Sequence, residues 1–345
     1  MSTILVITDR RTHSPAESLY ELCRLLKAEP SVDRVFVADR ADTMNASFFY
    51  ALHEECQALS VFEVDADYTY EGKVYPRHSM ALTDFDAVWL RMDHPLSRDF
   101  LRYVARKFRG KFIVNRPKAL VHTSTKLFLK SLVDVLGNLM PPVIVSQSAT
   151  TIGKFAQNHG HGVVLKSWWS FHGNGVMRWC PEGDTDFQTP EEVQMFLNQT
   201  GPCLIMPFLN PPVQQSDNRL LVMNGKILGA YQRVPGKTWQ CNLSAGGTAQ
   251  FVDPTEREIE IIRRLDPIMR WHGISIYVVD CLLNDNGERV LSEINSANVG
   301  GFLKRQEFTG KPYCQMVATT LARMIEEQSY ALEPIEPQPG MLVDT

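Results

Sequence analysis

The chain lacks any CxxC pair. Its seven cysteines, at positions 23, 56, 180, 203, 241, 281 and 314, are scattered, which excludes a zinc knuckle and a disulfide framework and points to a reducing, cytoplasmic compartment. No run of about 18 apolar residues occurs, so no membrane span is expected. Positive charge is not in excess: the formal net charge is -4, which argues against a nucleic-acid footprint. The opening Met-Ser-Thr-Ile-Leu-Val-Ile-Thr-Asp lacks the basic lead and apolar length of a signal peptide and is expected to open a strand. Internal repeats, low-complexity segments and the phosphate-loop pattern GxxxxGK[ST] are all missing.

What is present is a globular composition. At 345 residues, 44% hydrophobic and 21% charged, the chain suffices for about two to three domains. Ile4 to Thr8 and Val35 to Ala38 read as strands around a helix with Leu19, Leu22, Cys23, Leu25 and Leu26 on one face. Phe48 to Leu59 reads as helical and Tyr68 to Tyr75 as a small hairpin. Phe85 to Leu90 and Phe112 to Asn115 read as strands flanking a helix, Phe100 to Lys107. This alternation predicts a mostly parallel sheet with helices on its faces. Ligands in such sheets sit beyond the carboxyl ends of the strands, which makes Arg91, Asp93, Asn115 and Arg116 candidates for a substrate pocket. Ordinary loop polarity accounts for the same residues equally well.

Ser124 to Leu136 reads as a helix capped by Thr123 or Ser124, with Lys126 in its first turn, where a cation opposes the helix dipole unless an anion is near. Pro141-Pro142 leads into a short strand, Val143 to Val145. Then come a helix, Thr151 to His159, a strand, Gly162 to Lys166, and a loop, Ser167 to Gly175, containing Trp168, Trp169, Phe171, Gly173 and Gly175. A lysine closing a strand before a glycine-containing loop can bring an ammonium and backbone N–H groups around phosphates. After a helix, Pro190 to Thr200, the strand Cys203 to Leu209 runs into a proline-rich bend whose freed backbone groups could hydrogen-bond an adenine edge.

Two hairpins follow. Asn218 to Met223, a turn at Asn224-Gly225 and Ile227 to Val234 place Arg219 and Arg233 on one side, where guanidiniums suit phosphate, or simply face solvent. Beyond the tight turn Asn242-Leu-Ser-Ala-Gly246-Gly247, a helix is predicted over Glu256 to His272, with Ile259, Ile262, Leu265, Ile268 and Met269 inward and a kink at Pro267. It feeds a hairpin of Ile276 to Leu283 and Arg289 to Asn295. Its period of two turns Asp280, Glu293 and Asn295 toward one face, and three oxygen donors suit magnesium. A solvated hairpin would show the same pattern. A last helix is predicted over Met316 to Glu327, and the proline-containing tail Glu333 to Thr345 is expected to be mobile.

Several stretches, in this order and spacing, resemble an ATP-grasp ligase of the bacterial glutathione synthetase type from about Phe85 to Glu327. They are Leu-Arg91-Met-Asp93-His-Pro95, Val-Asn115-Arg-Pro117-Lys-Ala-Leu120, Thr125-Lys126-Leu-Phe128, Val-Leu-Lys166, Asp217-Asn-Arg219, Gln-Arg233-Val-Pro235, Asn242-Leu-Ser-Ala-Gly-Gly247 and Asp280 with Glu293-Ile-Asn295. The resemblance implies an α/β and α+β architecture: an N-terminal parallel-sheet domain ahead of an ATP-grasp fold. The implied parts are residues 1–122 for substrate, 123–200 as a small lid subdomain, 201–330 as the subdomain with the metal site, and a tail, 331–345. ATP would be held by Lys126, Lys166, Gly173 and Gly175, with adenine at Met206, Phe208 and Leu209. Asp280, Glu293 and Asn295 would bind Mg2+, with Mn2+ as an alternative. Arg219 and Arg233 would face the transferring phosphoryl group, and Arg91, Asn115, Asn242, Gly246, Gly247, Gly300 and Gly301 would border the substrates.

The implied reaction is ATP-dependent joining of a carboxylate to an amine through an acyl phosphate, with γ-glutamylcysteine and glycine as the leading pair. A carboxylate attacking a phosphate brings anion to anion, so cations must neutralise both. The acyl phosphate must then be kept from water, a task suited to Trp168, Trp169 and Phe171. Partners are expected to be small-molecule or peptide acids and amines, neither nucleic acid nor membrane, with self-association left open. One departure stands out: the family carries an arginine two residues before the Asn of the Asn-Leu-Ser-Ala-Gly-Gly segment, and this chain has Gln240. Two other readings follow, a RimK-type ligase adding an amino acid to a peptide or protein C-terminus, and a nucleotide-binding protein without turnover.

Overall fold

The computed structural model describes residues 1–330 apart from 16, 71–74, 94–95, 169–174, 181–185, 188, 210–215 and 235–247. The chain forms two compact units. One comprises Met1–Val121, Met269–Tyr277 and the chain from Ser296; the other comprises His122–Ile268 and Val278–Asn295.

The first unit is built on six strands: β1 (Ser2–Thr8), β2 (Val32–Asp39), β3 (Ala58–Glu63), β4 (His78–Ala81), β5 (Ala87–Arg91) and β6 (Phe112–Val114), in the order β4-β3-β2-β1-β5-β6. β2, β1, β5 and β6 run parallel, while β3 and β4 add antiparallel pairs at one edge. Ile4, Leu5, Val6 and Ile7 are wholly buried, as an unbroken apolar run must be when a parallel sheet is covered on both faces. The helix Arg98–Lys107 starts at Ser97, whose hydroxyl accepts from the Phe100 N–H at 3.1 Å. The chain leaves β1 toward β2 on one side and β5 flanks it on the other, with Thr8 in register beside Arg91. Such a switch point opens a crevice at the carboxyl ends of the strands.

The helix expected over Phe48 to Leu59 shrinks to Ala46–Phe49, and Ala58–Glu63 is β3 instead. Phe48 and Phe49 anchor the short turn by packing against Phe100, with Tyr103 and Phe108 also on Phe48. The following residues find a partner in β4, a pairing that overrides local propensity. Of the hairpin expected over Tyr68 to Tyr75, residues 71–74 lie outside the described residues. Its described ends are not strands; the Tyr68 and Tyr75 rings pack on Phe62.

The second unit holds two sheets. β7 (Ile144–Ser146), β8 (Val163–Ser167), β9 (Val176–Trp179) and β10 (Cys203–Pro207) form an antiparallel sheet in the order β7-β10-β8-β9. Helices Ala149–Ala156 and Pro190–Thr200 lie with a core of Ile152, Val163, Leu165, Leu197, Cys203 and Ile205. Alternation along the strands therefore sends Val164, Lys166, Leu204 and Met206 to the opposite face. The other sheet, β13-β12-β11-β14-β15, is made of β11 (Asp217–Met223), β12 (Lys226–Val234), β13 (Thr248–Val252), β14 (Ile276–Leu283) and β15 (Arg289–Asn295). The β11–β12 turn has Asn224 at φ 48° and Gly225 at φ 76°, the left-handed pair that a two-residue hairpin requires.

Two further expectations change. Ser124 to Leu136 is not one helix: the chain is helical over Pro117–Thr123, Phe128–Ser131 and Val133–Leu136, and Lys126 sits in the turn between the first two. There the Thr125 hydroxyl donates to the His122 carbonyl at 2.8 Å, the local bonding by which Ser and Thr compete with helix continuation. In the helix Glu256–His272 the buried stripe runs through Glu258, Ile261, Ile262, Leu265, Ile268 and Met269, which leaves Ile259, expected inward, 42% exposed. Apolar periodicity gave no sign of β13 or of the helix Phe302–Thr309.

Candidate active site

In the second unit, β14 and β15 set Asp280 directly opposite Glu293 and Val278 opposite Asn295. Direct antiparallel partners share a face, so Asp280, Glu293 and Asn295 stand on one side of the sheet. The register then slips: Cys281 pairs with Leu291, which leaves Ser292 as an extra residue. A bulge of this kind re-aims neighbouring groups. Lys166 Nζ, from the other sheet, donates to the Ser292 carbonyl at 3.1 Å and to its hydroxyl at 3.2 Å. Lys126 Nζ donates to the Glu293 carboxylate. Two lysines from separate elements thus meet on two consecutive residues.

The charges are largely out of water. Lys166 is 6% exposed, and burial pulls its ammonium from the ordinary 10.5 down to about 8; Glu293 resists that fall and Lys126 adds to it. Burial pushes the Glu293 carboxyl up, but Lys126 and Lys166 outweigh it and hold the group below its usual range. Asp280 is also pushed up by burial and brought down further by arginines. Arg219 grips it through Nε to Oδ1 at 2.7 Å and Nη2 to Oδ2 at 2.6 Å, while Arg233 Nη2 reaches Oδ2 at 3.0 Å. Arg233 turns its fork to Asp217 as well, with Nε to Oδ1 at 2.7 Å. Burial raises Asp217 to about 6, with Asp280 adding to the rise and Arg233 opposing it. Asp217 had no place among the expected site residues. Its signal lies in the register, where it is the direct partner of Arg233.

Among the described residues no three His, Cys, Asp or Glu side chains gather as a metal cage. The facing set here is two carboxylates and an amide, all hard oxygen donors. That chemistry fits a magnesium-like cation completed by phosphate oxygens rather than an all-protein cage.

Met206 and Phe208 are buried and Leu209 is half-buried at the end of β10. The Phe208 N–H donates to the Gly162 carbonyl at 2.9 Å, and the Arg178 guanidinium lies 3.9 Å from the Phe208 ring centre. That cation–π contact was not foreseen. Gly175, at φ 70°, accepts from the Ser167 N–H at 2.9 Å. Gly173, Asn242, Gly246 and Gly247 lie outside the described residues, as do Trp169, Phe171 and Gln240.

The remaining expected residues belong to the first unit. Arg91, 3% exposed, donates to the Val299 carbonyl and to Glu17 at 2.9 Å. Asn115 uses its whole amide on backbone: Nδ2 donates to the carbonyls of Ile276 at 2.6 Å and Ser296 at 2.8 Å, and Oδ1 accepts from Ser275 and Ile276 N–H at 2.9 and 3.1 Å. Both side chains therefore position the segments around 275–276 and 296–299. Gly301 follows Gly300 at φ 87° and starts the helix Phe302–Thr309. Near the end of β1, His13 shares hydrogen bonds of 2.8 Å with Thr8 and with Tyr20, a cluster that sequence reasoning did not find.

Residues 125–309 match the ATP-grasp domain of prokaryotic glutathione synthetase. The glutathione synthetase of Bradyrhizobium diazoefficiens is 30% identical over 250 residues, 71% of this chain and 74% of that protein. That of Prochlorococcus marinus strain MIT 9313 is 29% identical over 254 residues, 70% and 76% of the two chains. Among solved structures, a D-cycloserine synthetase superposes with a TM-score of 0.62 at 15% identity, covering 94% of this chain and 99% of that one. A RimK domain ATP-grasp protein from Sphaerobacter thermophilus gives 0.57 at 15% identity, with the same coverages. The fold is ATP-grasp, and the chain belongs to the prokaryotic glutathione synthetase ATP-grasp family, whose members are ATP-dependent ligases.

Proposed function

We propose that the chain is a carboxylate–amine ligase that joins γ-glutamylcysteine to glycine with cleavage of ATP to ADP and phosphate, in the cytoplasm. The observation that carries the reading is the convergence of Lys126, Lys166, Arg219 and Arg233 on Asp280 and the Ser292–Glu293 bulge. Four cations beside hard oxygen donors are what a triphosphate and a reacting carboxylate need. In this reading residues 1–122 serve the acceptor substrates, 123–200 cover the nucleotide and 201–330 carry the metal site.

Lys126 and Lys166 hold ATP phosphates with the backbone at Gly173 and Gly175, and adenine lies at Met206, Phe208 and Leu209. Asp280, Glu293 and Asn295 would hold Mg2+ or Mn2+, which when bound neutralises phosphate charge. Arg219 and Arg233 lower the repulsion between the attacking carboxylate and the γ-phosphoryl group. They are pre-oriented by Asp280 and Asp217, so little reorganisation accompanies charge transfer. The acyl phosphate is attacked by the amine, and phosphate leaves. Arg91 and Asn115 act on substrate through the backbone segments they fix, near Gly300 and Gly301, and Asn242, Gly246 and Gly247 are the substrate contacts proposed for the second unit.

The test is ADP release with ATP, Mg2+ and a panel of acids and amines. Release with γ-glutamylcysteine plus glycine supports the assignment. Release only with peptide or protein C-termini and an amino acid transfers it to the RimK-type reading. ATP binding without release under any pair would leave a nucleotide-binding protein and overturn the ligase assignment.

A further inference from the structure

The two carboxylates that orient the arginines are tied together from behind. Arg289 opens β15 and pairs with Leu283, so its side chain shares the face of Leu283 and Cys281, opposite that of Asp280. It is buried, and its Nη1 donates to two backbone carbonyls, that of Ser216 at 3.0 Å and that of Cys281 at 3.3 Å. This nitrogen carries two hydrogens, so both bonds form at once. Ser216 immediately precedes Asp217, and Cys281 immediately follows Asp280. One guanidinium nitrogen thus joins the neighbours of both carboxylates. On the same side, Glu258 of the helix Glu256–His272 is wholly buried, with Oε1 3.9 Å from Arg289 Nε. Its Oε2 accepts from the Thr255 N–H at 2.8 Å and the Thr255 hydroxyl at 2.9 Å.

We infer that Arg289 is a positioning residue for phosphoryl transfer: it fixes the separation of Asp217 and Asp280, and through them the directions of Arg219 and Arg233. The inference rests on the ligase reading above and deepens it. Arg233 needs that separation, because its Nη2 donates to Oδ2 of both carboxylates. Asp217 is the first residue of β11, so no strand residue before it holds it in place, and two neighbouring carboxylates repel each other. A donor from behind that grips main chain leaves the carboxylate oxygens to the arginines in front. Phosphoryl transfer is catalysed by placement and charge, and a displacement of about 1 Å costs about 100-fold in rate. Nucleotide affinity in the same reading rests on Lys126 and Lys166, which bond Glu293 and Ser292 instead. Loss of the tether therefore lowers kcat and leaves KM for ATP in place.

The experiment measures ADP release with ATP, Mg2+ and the acid–amine pair that the substrate panel selects, for wild type, Glu258→Gln, Arg289→Lys and the double variant Glu258→Gln/Arg289→Met, each beside its urea midpoint. Glutamine keeps an acceptor for Thr255 and leaves the tether whole, so Glu258→Gln is expected to retain wild-type kcat whatever it costs in stability. The double variant removes the tether without stranding a buried carboxylate. Its kcat should fall about 100-fold with KM for ATP within about twofold. Arg289→Lys keeps the charge beside Glu258 but not the planar fork, and should give a smaller fall in kcat with the same unchanged KM. That variant decides the matter if the double one does not fold. Wild-type kcat in Arg289→Lys and in the double variant, a KM that rises in step with the loss, or an equal loss in Glu258→Gln overturns the tether and leaves the ligase intact. No ADP release by wild type with any pair sinks the ligase reading and the tether together.

Discussion

Replacing Lys166 by methionine should make the protein more stable and unable to hold nucleotide. The ammonium is buried beside Ser292 and its pKa is drawn from 10.5 to about 8. A depression of that size means that the charged form costs about 3 kcal/mol in the folded state at neutral pH. Methionine has a similar reach and no charge. The substitution gives up two hydrogen bonds to Ser292, about 1 kcal/mol net, and leaves Glu293 its partner Lys126. The balance is a gain of about 2 kcal/mol, or roughly 4–8 °C in Tm for a unit of this size.

The pH dependence carries the sign. Between the folded value near 8 and the unfolded value of 10.5, the unfolded chain binds more protons at Lys166 than the folded one. Wild-type stability therefore rises with pH across that window relative to Lys166→Met, and the advantage of the variant closes by about pH 10.5. Differential scanning calorimetry of both proteins at pH 7, 8, 9 and 10.5 measures it. A variant that melts below wild type at pH 7, or a gap that does not shrink between pH 8 and 10.5, refutes the argument. Equilibrium titration with ATP and Mg2+ should show binding lost in the variant despite its higher Tm.

Two other changes test the frame around the site. Asp280→Asn removes the carboxylate shared by Arg219 and Arg233 and should cost about 3 kcal/mol in urea unfolding while abolishing metal-dependent turnover; a loss under about 1 kcal/mol would show that the pair is not what holds these strands. Asn115→Ala leaves four buried backbone groups at Ser275, Ile276 and Ser296 without their partner. It should cost about 2–4 kcal/mol, and an unchanged urea midpoint would argue that those groups find other partners.

What could be read from the sequence follows from how far each signal travels. The strands Ile276–Leu283 and Arg289–Asn295 and the helices Pro190–Thr200 and Glu256–His272 have the predicted bounds, because each carries its own periodicity with a cap or turn at its end. The shared face of Asp280, Glu293 and Asn295 followed from the same period of two. Residues whose role depends on a distant partner were misjudged or missed. β3 exists because β2 and β4 pair with it, and nothing within Ala58–Glu63 announces those partners. Lys126 looked badly placed in a helix, when its turn actually delivers it to Glu293. Ser292 is the sharpest case. A regular hairpin would turn its side chain to the face opposite Glu293, whereas the register slips opposite Asp280 and Cys281, and Lys166 bonds the Ser292 hydroxyl while Lys126 bonds Glu293. Alternation can assign a residue to a face; where the register slips, that assignment fails locally. Here the failure falls at the point where two lysines from different elements must meet one strand.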